Sequence, residues 1–390
     1  LGILAVAALA VLPVPQVRPA VRTPGPVPLF PLRAVWERAL GVAAAHPPAH
    51  DESRIYVALK DGTLAAVSVE GGARVWTAGA AADTAPAVDR TGVYVGTGDR
   101  LQALDPATGR LRWQIPLAAP LAAPPAAAGG WLLAALANGE IVAHRAATGE
   151  VLWRRALGAV ARIAPLVAAD HVVIGLAGER VASLALLDGT PGWSCPVAGD
   201  PTGLAEAGGL VYAGATGRFF HAIDARTGRL AWRWRIGAAM VGAPPVDARH
   251  VYVAALDNQV RALDRRHGAQ RWKQALPSRP IGPPLVVGDS VVPSALAAEL
   301  RGLHVRSGAS TGRHPLDREL AMPLAAVPLP LARGGDLIAA ILTDGTVVGL
   351  QRRVEPPVLP LADLPGAPVP LAPPPVTPGP AARPSPPGTR

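Results

Sequence analysis

The sequence predicts an all-β fold: an eight-bladed β-propeller with four-stranded blades, its ring closed by an N-terminal strand. Three observations predict it. Tryptophans fall at Trp36, Trp76, Trp113, Trp153, Trp193, Trp232 and Trp272, with spacings of 40, 37, 40, 40, 39 and 40. A sustained period near forty is the mark of a blade-by-blade array. Eight short apolar runs share that period, and a turn signature, A-x-D-x-x-T-G-x-x-x-W, links run to tryptophan. The chain of 390 residues is half apolar, enough to bury one large core.

The apolar runs come first in each period. They occupy 55–58, 93–96, 132–135, 172–175, 210–214, 251–254, 291–294 and 337–340. Val, Ile and Leu in runs this short suit buried strands. Tight turns follow, plainest at Asp61-Gly62, Asn138-Gly139, Asp257-Asn258 and Asp344-Gly345. Such pairs supply the positive φ that a two-residue hairpin requires.

A second strand then leads into the signature. It is complete in 103–113, with Asp105, Thr108, Gly109 and Trp113, and again in 222–232, with Asp224, Thr227, Gly228 and Trp232. Asp can accept hydrogen bonds from backbone N–H groups just beyond it, and Thr can do so more weakly. Gly enters the left-handed region without steric cost. The next strand therefore starts in fixed register, with its Trp four residues past the Gly, as suits one large ring wedged between neighbouring blades. Other copies keep part of the pattern. One has Thr148, Gly149 and Trp153 with Arg145 in the Asp position; another has Asp264, Gly268 and Trp272 with His267 for Thr. Trp76 follows Gly71-Gly72, Trp193 follows Gly189, and the copy at 302–312 has no Trp.

Trp36 has no apolar run before it, and the run at 337–340 has no Trp after it. The ends therefore complement each other. A strand at 33–40 is expected to complete the blade formed by 324–351, which removes the exposed sheet edges. The expected domain spans 33–353. Residues 1–32 combine an apolar run (1–12) with a Pro-rich stretch. They read as a signal-peptide core or a membrane anchor plus linker. Residues 354–390 are Pro-rich and read as a disordered tail.

The formal charge is +9, carried almost wholly by arginine, yet the arginines are spread along the chain and no nucleic-acid module accompanies them. Nucleic acid is therefore not an expected partner. Cys195 is the sole cysteine, which excludes an intrachain disulfide and a Cys-rich metal site. His46, His50, Asp51 and Glu52 share one segment whose composition could suit a metal, but an exposed polar loop is the preferred reading. No catalytic, cofactor or metal residue is assigned.

The signature and its period resemble the quinoprotein-like repeat, also called the PQQ-binding-like β-propeller repeat, over 33–351. The resemblance implies blade docking for the signature residues. Two branches of the family follow from it. Quinoprotein dehydrogenases would bind pyrroloquinoline quinone with Ca²⁺, but the adjacent cysteines of their methanol-dehydrogenase-like members are absent here. The only asparagines, Asn138 and Asn258, already have a turn role. The chain is more similar to the non-enzymatic, BamB-like branch, although it lacks a lipobox cysteine. That resemblance implies a monomeric, extracytoplasmic protein-binding scaffold without cofactor, exported or tethered to the membrane through its N-terminus. Such a scaffold would serve cell-envelope or outer-membrane protein assembly. The alternatives are a PQQ-dependent oxidoreductase and the sensor domain of a larger membrane protein.

Overall fold

The computed structural model describes residues 27–353 apart from 334; residues 1–26 of the expected export segment and linker (1–32), and the Pro-rich tail, lie outside the described residues. Within them the chain forms eight antiparallel sheets in sequence order, with one short 3₁₀ turn at Leu331–Arg333 as its only helical element. Blades 1 to 7 occupy 49–79, 87–116, 126–156, 166–196, 201–235, 246–275 and 285–315. The first strand of each lies innermost and the last outermost. Seven blades have four strands. In blade 6 the innermost strand shrinks to a single bridge, Val246 to Val251, beside three full strands.

Blade 8 joins the two ends of the domain. Its strands run in the order Leu32–Ala39, Thr346–Arg352, Leu337–Ile341 and Ala325–Val327, so the N-terminal strand is the outermost. Arg33 pairs with Gln351 and Arg38 with Val347, the closure that the unmatched ends predict. The second strand of every blade coincides with one of the eight apolar runs and is buried on both faces. Apolar clusters fill the spaces between adjacent blades. Ala66, Trp76, Val93 and Val95 pack between blades 1 and 2, and Val287, Leu300, Ile338 and Leu350 between blades 7 and 8. Burial of this kind is the main favourable term in folding.

An antiparallel meander places alternate turns on opposite ends of the sheet. The turn between the two inner strands and the signature turn between the two outer strands therefore share one face of the ring. The two-residue hairpins and the blade-to-blade connections share the other.

Candidate functional site

Each signature residue sits at a junction between blades. In blade 2, Asp105 Oδ1 accepts from the N–H groups of Ala107 and Thr108, both at 2.9 Å, and from Thr108 Oγ1 at 3.0 Å. Gly109 closes the turn by donating to Asp105 O at 2.8 Å. Arg112, ion-paired to Asp105, leads the causes that hold this carboxyl below the usual range. Asp224 accepts from Thr227 N and Thr227 Oγ1 in the same way, and Asp264 accepts from the N–H groups of Arg266 and His267. Where Arg145 replaces the Asp, the Gly149 N–H still donates to its carbonyl at 2.8 Å and Thr148 Oγ1 accepts from Glu150 N.

The glycine serves a second purpose. Gly72, Gly109, Gly149, Gly189, Gly228, Gly268 and Gly308 have φ between 65° and 75°. Each lies against the tryptophan of the preceding blade, in order Trp36, Trp76, Trp113, Trp153, Trp193, Trp232 and Trp272. A Cβ on any of them would come within 2.5–2.9 Å of that side chain. The same seven indoles donate Nε1–H to a backbone carbonyl of the next blade at 2.7–3.2 Å. Within its own blade, the indole lies opposite the small residue that opens the signature, as in Ala103 opposite Trp113 and Ala222 opposite Trp232. In the closing blade Gly349 takes that place opposite Trp36.

Two participants went unread in the sequence. The four tyrosines, Tyr56, Tyr94, Tyr212 and Tyr252, hold one position on the second strand and lie 5.7–6.0 Å, centroid to centroid, from their blade's tryptophan. Three follow an Asp by five residues and donate to it: Tyr56 to Asp51, Tyr94 to Asp89 and Tyr252 to Asp247. A D-x-x-x-x-Y spacing was the available signal. The other participant is Phe30. Blade 7 has Gly312 in the tryptophan position, paired with Gly302, and the Phe30 ring lies against both glycines. Leu29, Phe30 and Leu32 are buried between blades 7 and 8, and Leu29 N donates to Asp289 Oδ1 at 3.1 Å. The chain from Val27 onward, expected to be linker, thus supplies the aromatic group that this junction lacks.

The other sequence candidates are accounted for locally. His46 Nε2 lies 3.0 Å from Ala82 O, and Asp51 accepts from Ser53 N, Arg54 N and Tyr56 OH. Among the described residues no group of three or more His, Cys, Asp or Glu side chains is placed to hold a metal ion. Cys195 is buried, and burial raises its thiol pKa.

Arginines that are dispersed in sequence meet on the signature-turn face. Arg249, Arg265, Arg266, Arg271 and Arg306 line a cavity of about 500 Å³ formed by both turns of blade 6 and the outer turn of blade 7. Asp264 is the only carboxylate in its lining, and it is paired with Arg271 at 2.7 Å. Arg265 is held in place: its Nη1 donates to Asp247 O at 3.0 Å, and its guanidinium lies over Gly208, where any Cβ would collide with it. Its carbonyl accepts from both Tyr212 OH and Trp232 Nε1. A smaller cavity of about 220 Å³ shares Arg249, His250 and Arg306 and adds the apolar side chains of Val286 and Val305 together with Asp247, whose carboxylate is already engaged by Tyr252 OH. A basic hollow therefore adjoins a smaller one with an apolar wall of Val286 and Val305. It can bind an anion but holds no nucleophile–base pair.

Comparison with known proteins gives a consistent picture. The BamB of Nitrosomonas eutropha is 30% identical over 154 residues, 38% of this chain and 37% of that protein, so the match spans little more than a third of this relative. The solved structure of BamB from Moraxella catarrhalis superposes with a TM-score of 0.68 at 21% identity, over 83% of this chain and 98% of that one. A quinohemoprotein alcohol dehydrogenase from Pseudomonas putida HK5 gives a TM-score of 0.70 at 13% identity, over 84% and 78%. These superpositions show the shared fold. The family model described as "Outer membrane protein assembly factor BamB" matches residues 33–121, 117–208 and 197–353, the whole ring, and the chain belongs to that family.

Proposed function

We propose that this chain is a non-catalytic, extracytoplasmic scaffold that binds other proteins in outer-membrane protein assembly, acting as a monomer and without a cofactor. The observation that carries the reading is the family match, which runs through every blade from 33 to 353. The repeated polar side chains agree with it. Asp105, Thr108, Asp224, Thr227 and Asp264 spend their hydrogen bonds on turns, and the tryptophan indoles spend theirs on the next blade, so the signature builds a ring and leaves no chemistry over. What varies between blades is the turn faces, where propellers present their binding surfaces.

Affinity capture from the native cell envelope tests the reading. Tagged full-length chain is expected to enrich outer-membrane assembly components, and loss of the chain is expected to lower outer-membrane protein content. Capture of none of these, with outer-membrane content unchanged, would overturn it. The oxidoreductase alternative has its own test in incubation with pyrroloquinoline quinone and Ca²⁺. No retained quinone and no dye-linked alcohol or sugar oxidation are expected.

A further inference from the structure

The blades share one backbone plan, so the residue two before each signature glycine marks equivalent tips of the outer turns around one face. In blades 5, 6 and 7 that residue is Arg226, Arg266 and Arg306. In blades 2, 3 and 4 it is Ala107, Ala147 and Leu187, and in blade 1 it is Glu70. The rim is therefore divided, with its basic side on three consecutive blades. The three arginines are exposed, and among the described residues their side chains make no hydrogen bond or ion pair. The last two also line the basic hollow, where Arg265 and Arg271 are already fixed in position.

We propose that this arginine rim docks an acidic segment of a protein partner, with carboxylates on Arg226, Arg266 and Arg306 and an adjacent apolar side chain in the hollow beside Val286 and Val305. The proposal rests on the protein-binding reading above and names the surface and the partner's chemistry. Guanidinium groups pair with carboxylates through two parallel N–H donors, and exposed unpaired ones steer an oppositely charged chain before contact. Three features favour a peptide over other anions. The apolar half of the hollow has no use for a bare phosphate chain. The rim offers no aromatic platform on which bases could stack. Its three tips are all arginine, and Leu187 on the adjoining blade is a single exposed apolar side chain, too little to seat the rim in a bilayer.

The test measures binding of a fluorescein-labelled Glu–Leu repeat peptide to the full chain and to the triple variant Arg226→Glu, Arg266→Glu, Arg306→Glu. Salt-sensitive binding is expected, weakened about tenfold or more in the variant, and the Gln–Leu counterpart should bind no better than the variant binds the acidic peptide. An unchanged melting temperature shows that the variant is folded. Equal binding by wild type and variant would overturn the proposal. So would inorganic polyphosphate or phosphatidylglycerol vesicles binding as tightly as the peptide and being lost in the same variant. Envelope capture separates the two readings. If both proteins capture assembly components equally, the rim is not the docking surface and the scaffold reading stands; if neither does, the scaffold reading itself fails.

Discussion

Replacing Gly109 by alanine should destabilise the ring through two effects that can be measured apart. The first is conformational: Gly109 sits at φ 69°, where an L-residue costs roughly 1–2 kcal/mol. The second is contact, since the new Cβ would lie 2.6 Å from the Trp76 ring. That ring is 9% exposed, donates to Pro106 O at 2.9 Å and lies 5.7 Å from Tyr56, so it has little room to move. Overpacking of this kind costs about 1–3 kcal/mol. The sum, about 2–5 kcal/mol, corresponds to a fall of roughly 3–7 °C in melting temperature for a domain of this size. Equilibrium denaturation of wild type, Gly109→Ala, Trp76→Leu and the double variant completes a cycle. In the Trp76→Leu background only the conformational cost should remain, leaving a coupling of about 1–3 kcal/mol. If Gly109→Ala costs the same with and without the indole, the glycine is not there to admit the ring, and the account of blade docking is refuted.

Two further predictions concern other junctions. Phe30→Ala should cost about 3–5 kcal/mol by denaturation, as for any buried phenylalanine, because Gly302 and Gly312 leave nothing to fill the space; an unchanged midpoint would mean that the ring closes without it. His221 is buried, and burial, followed by the nearby Arg233, pushes its pKa down to about 4 from 6.5. The unfolded chain therefore takes up the proton first, so this stability is present above pH 6.5 and lost as pH falls toward 4. The loss is on the order of 2 kcal/mol after allowance for solvent screening, and His221→Leu should flatten that part of the pH–stability curve. An unaltered curve would show the imidazole to be protonated without penalty.

The ring was legible because its period is written in residues that few other arrangements would space so evenly. Trp36 without a preceding run, and 337–340 without a following Trp, were enough to place the closing strand opposite Val347. The eighth junction was hidden because its aromatic group precedes the repeat. Phe30 sits among prolines, and only the paired glycines at 302 and 312 betray the vacancy that it fills. The tyrosines were hidden differently. Inside an apolar run such as 251–253 a tyrosine reads as one more strand residue, and its hydroxyl shows a purpose only when Asp247 is brought beside it.

The basic rim was obscured by the scale on which charge was judged. Along the chain Arg226, Arg266 and Arg306 are forty residues apart, so no window shorter than a blade contains two of them. In a repeat fold, however, one period of sequence is one step around the ring, and residues of equal phase become neighbours on one face. Charge clustering in such a chain is a property of phase, not of local density. Two further positions support this. Arg249 and Arg265 belong to different turns of blade 6, yet line the same hollow, because the inner and outer turns of a meander emerge on one side. Sorting the arginines by phase would have separated this rim from the arginines of the outer strands, such as Arg154 and Arg155, without a structure. It would not have shown that Gly208 makes room for Arg265, a contact between blades that no phase encodes.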